Sequence, residues 1–327
     1  MKVLIIGGTA FTGPYIVRGL LELGHEVTLF HRGHSPLRLH GVTEILGDKG
    51  ELVAQKAAFQ RLSPDVIIHM TALTREDAEV FVSTFTGIAK RALVISSGDV
   101  YLAYGRMHGT EPGPPEALPL YETSPLRLQL GPEGQAYNKT AVESVVCSEP
   151  RLPVTVLRFS AIYGPGDHQR RFSEFFRRIA DRRPGIIIGE SDAHFRFSHA
   201  YCENAANAVM LAATSSNAAN RVYNVAERDT PTGVERLRRI SSALGWDGRI
   251  VVVPDANLPQ HLRRPPIHVE QDLVIDSTRI RDELGYSELV DDDEAIRRTY
   301  AWQVANPLPN GAIPDYETED RLLVTRP

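Results

Sequence analysis

Apolar and polar positions fall in blocks along this chain, and the period of each block predicts an element. Residues 3–6 are a short uninterrupted apolar run, the pattern of a strand buried on both faces of a parallel sheet. The run ends in Gly7-Gly8-Thr9-Ala10-Phe11-Thr12-Gly13. Ile16, Val17, Leu20, Leu21 and Leu23 then recur at helical spacing. Thr12 stands at the N-cap, Pro14 in the first turn and Gly24 at the stop. Strand-like runs follow at 25–30, 42–46, 64–72, 91–97 and 153–159, with helical stretches at 50–62 and 74–90. Strands alternating with helices predict an α/β fold, a doubly wound and mostly parallel sheet.

Beyond residue 167 the pattern changes. An arginine-rich helix is predicted over 171–183, a short strand at 186–188 and an alanine-rich helix ending near Ala213. A strand at 221–226 returns to the sheet. A helix capped by Thr232, a strand at 250–253 and a helix at 277–286 follow. The expected organisation is a dinucleotide-binding domain over 1–167, completed by about 200–228. A smaller substrate lobe takes 168–199 and 229–305, and 306–327 form a surface tail. Glycine and proline crowd residues 104–134. Regular structure is not expected there, and the place of this segment between two site motifs favours a lid or pocket wall.

Composition narrows the function. The chain has 327 residues, of which 42% are hydrophobic, and a net charge of −5. That balance argues against nucleic acid as a partner. No apolar run approaches a membrane span, and the first strand lacks signal-peptide flanks. Cys147 and Cys202 are the only cysteines, which excludes a disulfide framework and fits a cytoplasmic, reducing setting. His31, His34 and His40 lack thiolates or a ligand spacing nearby, so no metal is expected.

Strand, glycine loop, helix and strand begin a dinucleotide-binding unit, in which free N–H groups at the helix start face a pyrophosphate. The second strand runs into His31-Arg32-Gly33. An acid there suits the ribose of NAD and a base suits the 2′-phosphate of NADP, so Arg32 points to NADP. The strand at 91–97 delivers Ser96 and Ser97 to its C-terminal end, where α/β ligand sites lie. Asp99 follows, readable equally as a site acid or a turn carboxylate.

These motifs carry a family resemblance. The Gly7–Ala10–Gly13 spacing resembles the glycine loop of the short-chain dehydrogenase/reductase superfamily, with Ala10 at the middle glycine. Ser96-Ser97-Gly98-Asp99-Val100-Tyr101 resembles the "SS-x-x-VYG" segment of NAD-dependent epimerases and dehydratases. Residues 65–72 and 158–167 resemble their "DVVIHLAA" and "R-x-x-x-VYGPGD" segments. The resemblance covers about residues 1–305 and extends to the atypical members of that group. It implies a Rossmann fold, NADP or NAD as cofactor, and hydride exchange with a small polar substrate, sugar-derived ones included. Epimerisation, dehydration and reduction all remain open.

The resemblance puts cofactor contacts on Gly7, Thr9, Ala10, Phe11, Thr12, Gly13, Arg32, Asp48, Thr71, Ala72, Lys139, Phe159 and Ser160. Ser97 falls on the hydroxyl that holds a reacting oxygen, and Asp99 falls where sugar dehydratases carry an acid–base glutamate. Ala161 replaces the asparagine usual in nucleotide-sugar enzymes. Lys139 and Glu143 fit the Tyr-x-x-x-Lys segment and its following glutamate, which places Gln135 at the tyrosine position.

Helix positions four apart share a face, whereas positions two apart diverge by about 200°. Gln135 is therefore expected beside Lys139, with Tyr137 turned away unless the helix begins after it. A glutamine cannot titrate. Asp99 or Tyr104 would then carry the proton, or hydride chemistry would be lost. The second reading is accordingly a dinucleotide-binding sensor or an RNA-binding atypical member. A homodimer is compatible with either.

Overall fold

The computed structural model describes residues 1–34, 39–263, 267–307 and 314–325. The chain opens with β1 (Lys2–Ile6), α1 (Gly13–Glu22), β2 (Glu26–His31) and β3 (Val42–Leu46). It continues through α2 (Lys56–Leu62), β4 (Val66–His69), α3 (Arg75–Phe85), β5 (Arg91–Ser97), α4 (Leu102–Met107), α5 (Lys139–Val146) and β6 (Val154–Phe159). Next come β7 (Ala161–Tyr163), α6 (Ser173–Ala180), β8 (Gly185–Gly189), α7 (Glu190–His194), β9 (His199–Tyr201), α8 (Cys202–Thr214) and β10 (Val222–Val225). The last elements are α9 (Gly233–Leu244), β11 (Arg249–Val253), α10 (Thr278–Leu284), α11 (Asp292–Ala305) and α12 (Tyr316–Thr325).

Seven strands form one parallel sheet in the order β10-β6-β5-β4-β1-β2-β3. The order reverses between β1 and β4, so a crevice opens beyond their C-terminal ends, where doubly wound folds bind ligands. Both faces are covered. Ile5, Leu29, Ile68 and Leu93 pack toward α1 and α8, while Leu4, Ile67, Val94 and Val156 pack with Phe59, Phe81 and Phe85 from the opposite helices. The continuous apolar runs of these strands follow from that double burial.

The rest of the chain builds over the crevice. β8 and β11 pair in parallel, and β7 pairs with β9 at the junction with the main sheet. Leucine and isoleucine of α9, α11 and β8 form a separate core with Phe176. The expectation of a C-terminal surface tail needs correction. α12 docks on this lobe with Leu323 buried, and Glu319, wholly buried, pairs with Arg178 of α6 at 2.5 Å. The sequence shows no strong period there because a docked polar helix end is held by ion pairs rather than by an apolar stripe.

Candidate active site

The glycine loop is built for close approach. A Cβ on Gly13 would stand 2.3 Å from the Gly8 carbonyl oxygen, so the first turn of α1 packs directly on the loop. The left-handed backbone falls on Phe11 (φ 54°) and on Gly7 and Gly8 (φ 89° and 79°), which leaves Ala10 free of that strain. Thr12 occupies the N-cap, but its hydroxyl makes no capping bond. Among the described residues nothing accepts from the backbone N–H groups of Phe11 and Thr12. Two free donors at a helix start, held close to the loop by the Gly13–Gly8 packing, fit a dinucleotide pyrophosphate. Gly13→Ala is expected to push loop and helix apart, at a cost of about 1–3 kcal/mol, and to weaken dinucleotide binding. Denaturant unfolding and cofactor titration of the variant check it, and a variant matching the parent in both would refute it.

Around this loop the cofactor candidates divide. Thr71 and Ala72 offer their carbonyls, but lysines already hold them: Lys49 Nζ donates to Thr71 O at 3.2 Å and Lys139 Nζ to Ala72 O at 2.6 Å. The Asp48 carboxylate caps the short helical turn at 49–55, accepting from Gly50 N at 3.0 Å. Arg32 is exposed just past β2 and makes no hydrogen bond or ion pair among the described residues. His31, beside it, is buried and reaches Glu44 at 3.2 Å. Thr9 is half-buried and Ala10 exposed on the loop's outer side.

A cavity of about 630 Å³ extends from Phe11 across the ends of β5 and β6. Ser97, Asp99, Tyr137, Lys139, Phe159 and Ser160 line it, together with Tyr104 and Glu133. Lys139 sits in its floor, bonded to the carbonyls of Ala72 and Ile95 (2.6 and 2.9 Å). Burial lowers its pKa to about 8, against the opposing charge of Asp99. Burial raises the Asp99 carboxyl, while the hydroxyls of Ser97 and Tyr137 pull it back down. Burial also raises the Tyr137 phenol, with the charge of Asp99 adding to it. Among the described residues Asp99 Oδ1 and Ser160 Oγ are buried with no partner, as expected of groups that await a ligand.

Tyr137, not Gln135, faces this cavity. α5 begins only at Lys139, because Asn138 caps it by accepting from Ala141 N at 3.2 Å. Tyr137 precedes the cap in extended backbone (φ −144°, ψ 98°), and its ring lies 5.5 Å from Lys139 Nζ. Gln135, in a short helical turn, is exposed. The expectation that Gln135 takes the tyrosine's place is therefore corrected: the 100°-per-residue argument applies only inside a helix, and residues 135–138 precede it. Asn138 immediately before the apolar-periodic run was the sequence signal for this boundary.

Sequence reading also missed Glu133. Its carboxylate accepts from Tyr104 O–H at 2.8 Å, which joins the two ends of the long excursion at the cavity rim. His69, beneath the site, is wholly buried and held neutral by burial, which lowers its pKa to about 3. Behind the site Glu143 accepts from Ser96 at 2.5 Å and from Arg158 at 2.7 Å. This ties α5 to β5 and β6. Among the described residues no cluster of acidic, histidine or cysteine side chains could hold a metal ion. None of their helices is long and apolar enough to cross a membrane.

A model of the NAD dependent epimerase/dehydratase family matches residues 3–226. The chain belongs to that family. Among its relatives, the 2-alkyl-3-oxoalkanoate reductase of Stenotrophomonas maltophilia is 26% identical over 268 residues, covering 75% of this chain and 76% of the relative. A chloroplast stem-loop binding protein of Arabidopsis thaliana is 24% identical over 238 residues, covering 68% of this chain and 58% of the relative. Among solved structures, the dTDP-glucose 4,6-dehydratase of Bacillus anthracis in complex with NAD superposes with a TM-score of 0.70 at 15% identity. That match covers 94% of this chain and 97% of the other. In this family member, the glycine loop and the Ser97 strand end therefore lie in the matched region, with α9 to α12 outside it.

Proposed function

We propose that this protein is an NAD(P)-dependent oxidoreductase acting on the carbonyl or hydroxyl group of a small molecule in the cytoplasm. The observation that carries the reading is the convergence of Ser97, Asp99 and Tyr137 above Lys139 in one cavity that continues to the glycine loop. The N–H groups of Phe11 and Thr12 would hold the pyrophosphate, and Lys139 would lie beneath the nicotinamide end. When bound, the nicotinamide supplies or accepts the hydride. The protein's own part is to place and protonate the reacting oxygen. The Ser97 hydroxyl donates to that oxygen, and the Tyr137 phenol delivers or takes its proton. The Lys139 ammonium stabilises the tyrosinate. Asp99, its carboxyl raised by burial, is the second group able to hold a proton there. With Tyr137 in this position, the sensor reading loses the missing tyrosine that motivated it.

NADP is the proposed preference, because Arg32 is exposed at the end of β2 with its guanidinium uncommitted among the described residues. Arg32→Ala is expected to weaken NADP by roughly tenfold or more, since a charge-assisted phosphate contact contributes about 1.5–3 kcal/mol. NAD affinity should hardly change. Fluorescence titration with NADH and NADPH tests the cofactor assignment and its selectivity together. Binding of neither would overturn the oxidoreductase reading. Equal loss of both in the variant would overturn the role of Arg32.

A further inference from the structure

A second cavity, of about 460 Å³, adjoins the first beneath α4 and between α6 and α9. Tyr104, Ala161, Gln169, Arg171 and Phe197 line both, so the two cavities share that wall. Met107, Phe172, Phe175, Ile188 and Phe195 give it an apolar and aromatic part, and the acids Glu174 and Asp192 stand elsewhere in the lining. Such a lining takes an apolar ligand body and leaves a few polar groups to orient it.

Cationic groups in this cavity are nearly all committed. Arg236 spends both terminal nitrogens on Glu227 and Asp292, at 2.8 and 3.0 Å. Arg170 spends its own on the carbonyls of Asn306 and Gln303, at 2.8 and 3.0 Å. Arg171 differs. Its Nη1 is pinned by Ile162 O at 2.6 Å and by the buried Asp167 at 3.2 Å. Among the described residues its Nε and Nη2 have no partner. The result is one fixed guanidinium with one open edge, at the wall shared by the apolar cavity and the cavity of Ser97 and Tyr137. A fixed fork of that kind recognises one carboxylate in bidentate fashion. A nucleoside diphosphate carries more charge than this edge can match.

We propose, on the footing of the oxidoreductase reading, that the substrate is a keto acid, or the matching hydroxy acid, with a single carboxylate and an apolar body. The carboxylate sits on Arg171, the body fills the second cavity and the carbonyl carbon lies before Ser97 and Tyr137. The keto and hydroxy forms differ by the nicotinamide's hydride and the proton held at Tyr137, so the exchange balances without a further reactant.

The test is calorimetric titration of the protein saturated with NADP, using phenylpyruvate, levulinate, their ethyl esters and UDP-glucose as probes. The acids are expected to bind at least roughly tenfold more tightly than their esters, the usual margin of a charge-assisted pair. UDP-glucose should not compete. Arg171→Met should bring acid and ester to the same affinity, and Arg171→Lys should restore part of the difference. Acid and ester binding alike in the parent, neither acid binding, or tight binding of UDP-glucose would overturn the proposal, and none of these needs a variant to fold. The cofactor titration separates the two claims. Cofactor binding without acid binding removes only the keto-acid assignment, and loss of cofactor binding removes both.

Discussion

Tyr137→Phe is expected to lower nicotinamide-dependent turnover by about 100- to 10,000-fold, the range for loss of a positioned acid–base group. Gln135→Ala should leave turnover unchanged. The contrast follows from placement: Tyr137 lines the cavity with Ser97, Asp99 and Lys139, while Gln135 is exposed. Cofactor affinity should stay near the parent value in both variants, so the loss should appear in kcat. The pH profile adds a second signature. Burial brings the Lys139 pKa down to about 8, so its positive charge is present below that pH and lost as pH rises through it. A tyrosinate is least stabilised once that charge is gone, so the reduction rate should fall above about pH 8. Stopped-flow nicotinamide absorbance across pH measures both effects. A Tyr137→Phe protein with parental kcat, or a Gln135→Ala protein losing as much as Tyr137→Phe, would remove Tyr137 from the mechanism.

Glu143→Ala should destabilise the fold by about 3–5 kcal/mol, the cost of leaving a buried charge without its partner. The charge is Arg158, whose Nε and Nη2 donate to Glu143 at 3.0 and 2.7 Å with both side chains almost wholly buried. Burial alone would make the guanidinium easier to deprotonate, but the Glu143 carboxylate beside it outweighs that and raises its pKa. Arg158 also donates to Tyr101 O–H at 3.1 Å, and Tyr101 in turn donates to Asn224 at 2.5 Å. The alanine variant therefore disturbs a network rather than one pair. Replacing Glu143 and Arg158 together by apolar residues should cost much less than the single change. Equilibrium urea unfolding compares them. A single variant within about 1 kcal/mol of the parent would mean that water reaches Arg158 and that the network does not hold α5 against the sheet.

The parts of this site that were legible in the sequence are those set by local pattern. The apolar runs specified the parallel strands because both of their faces are buried, and strand ends then placed Ser97 and Asp99 in the crevice. The register of Lys139 and Glu143 was legible because both lie on one face of α5, four residues apart. Gln135 was misplaced because the same periodicity was carried past the helix start, where Asn138 N donates to Leu73 O at 2.7 Å and the chain is extended.

By itself, then, the sequence determined the doubly wound sheet, the glycine loop and the strand end that carries Ser97. Periodicity, turn chemistry and capping are properties of neighbouring residues, and these features need nothing more. Only the tertiary structure decided which side chain faces Lys139, that α12 docks through Arg178 and Glu319, and that Arg171 keeps one open edge. The first depends on the local start of a helix, the second on partners far apart in the chain, and the third on which groups the packed lobe brings to Arg171 besides its near neighbours Ile162 and Asp167. Arg178 and Glu319 are 141 residues apart, and no local pattern records such a pairing. Charges of that kind are matched by the packing of whole elements, which exists only once the sheet and the lobe are assembled.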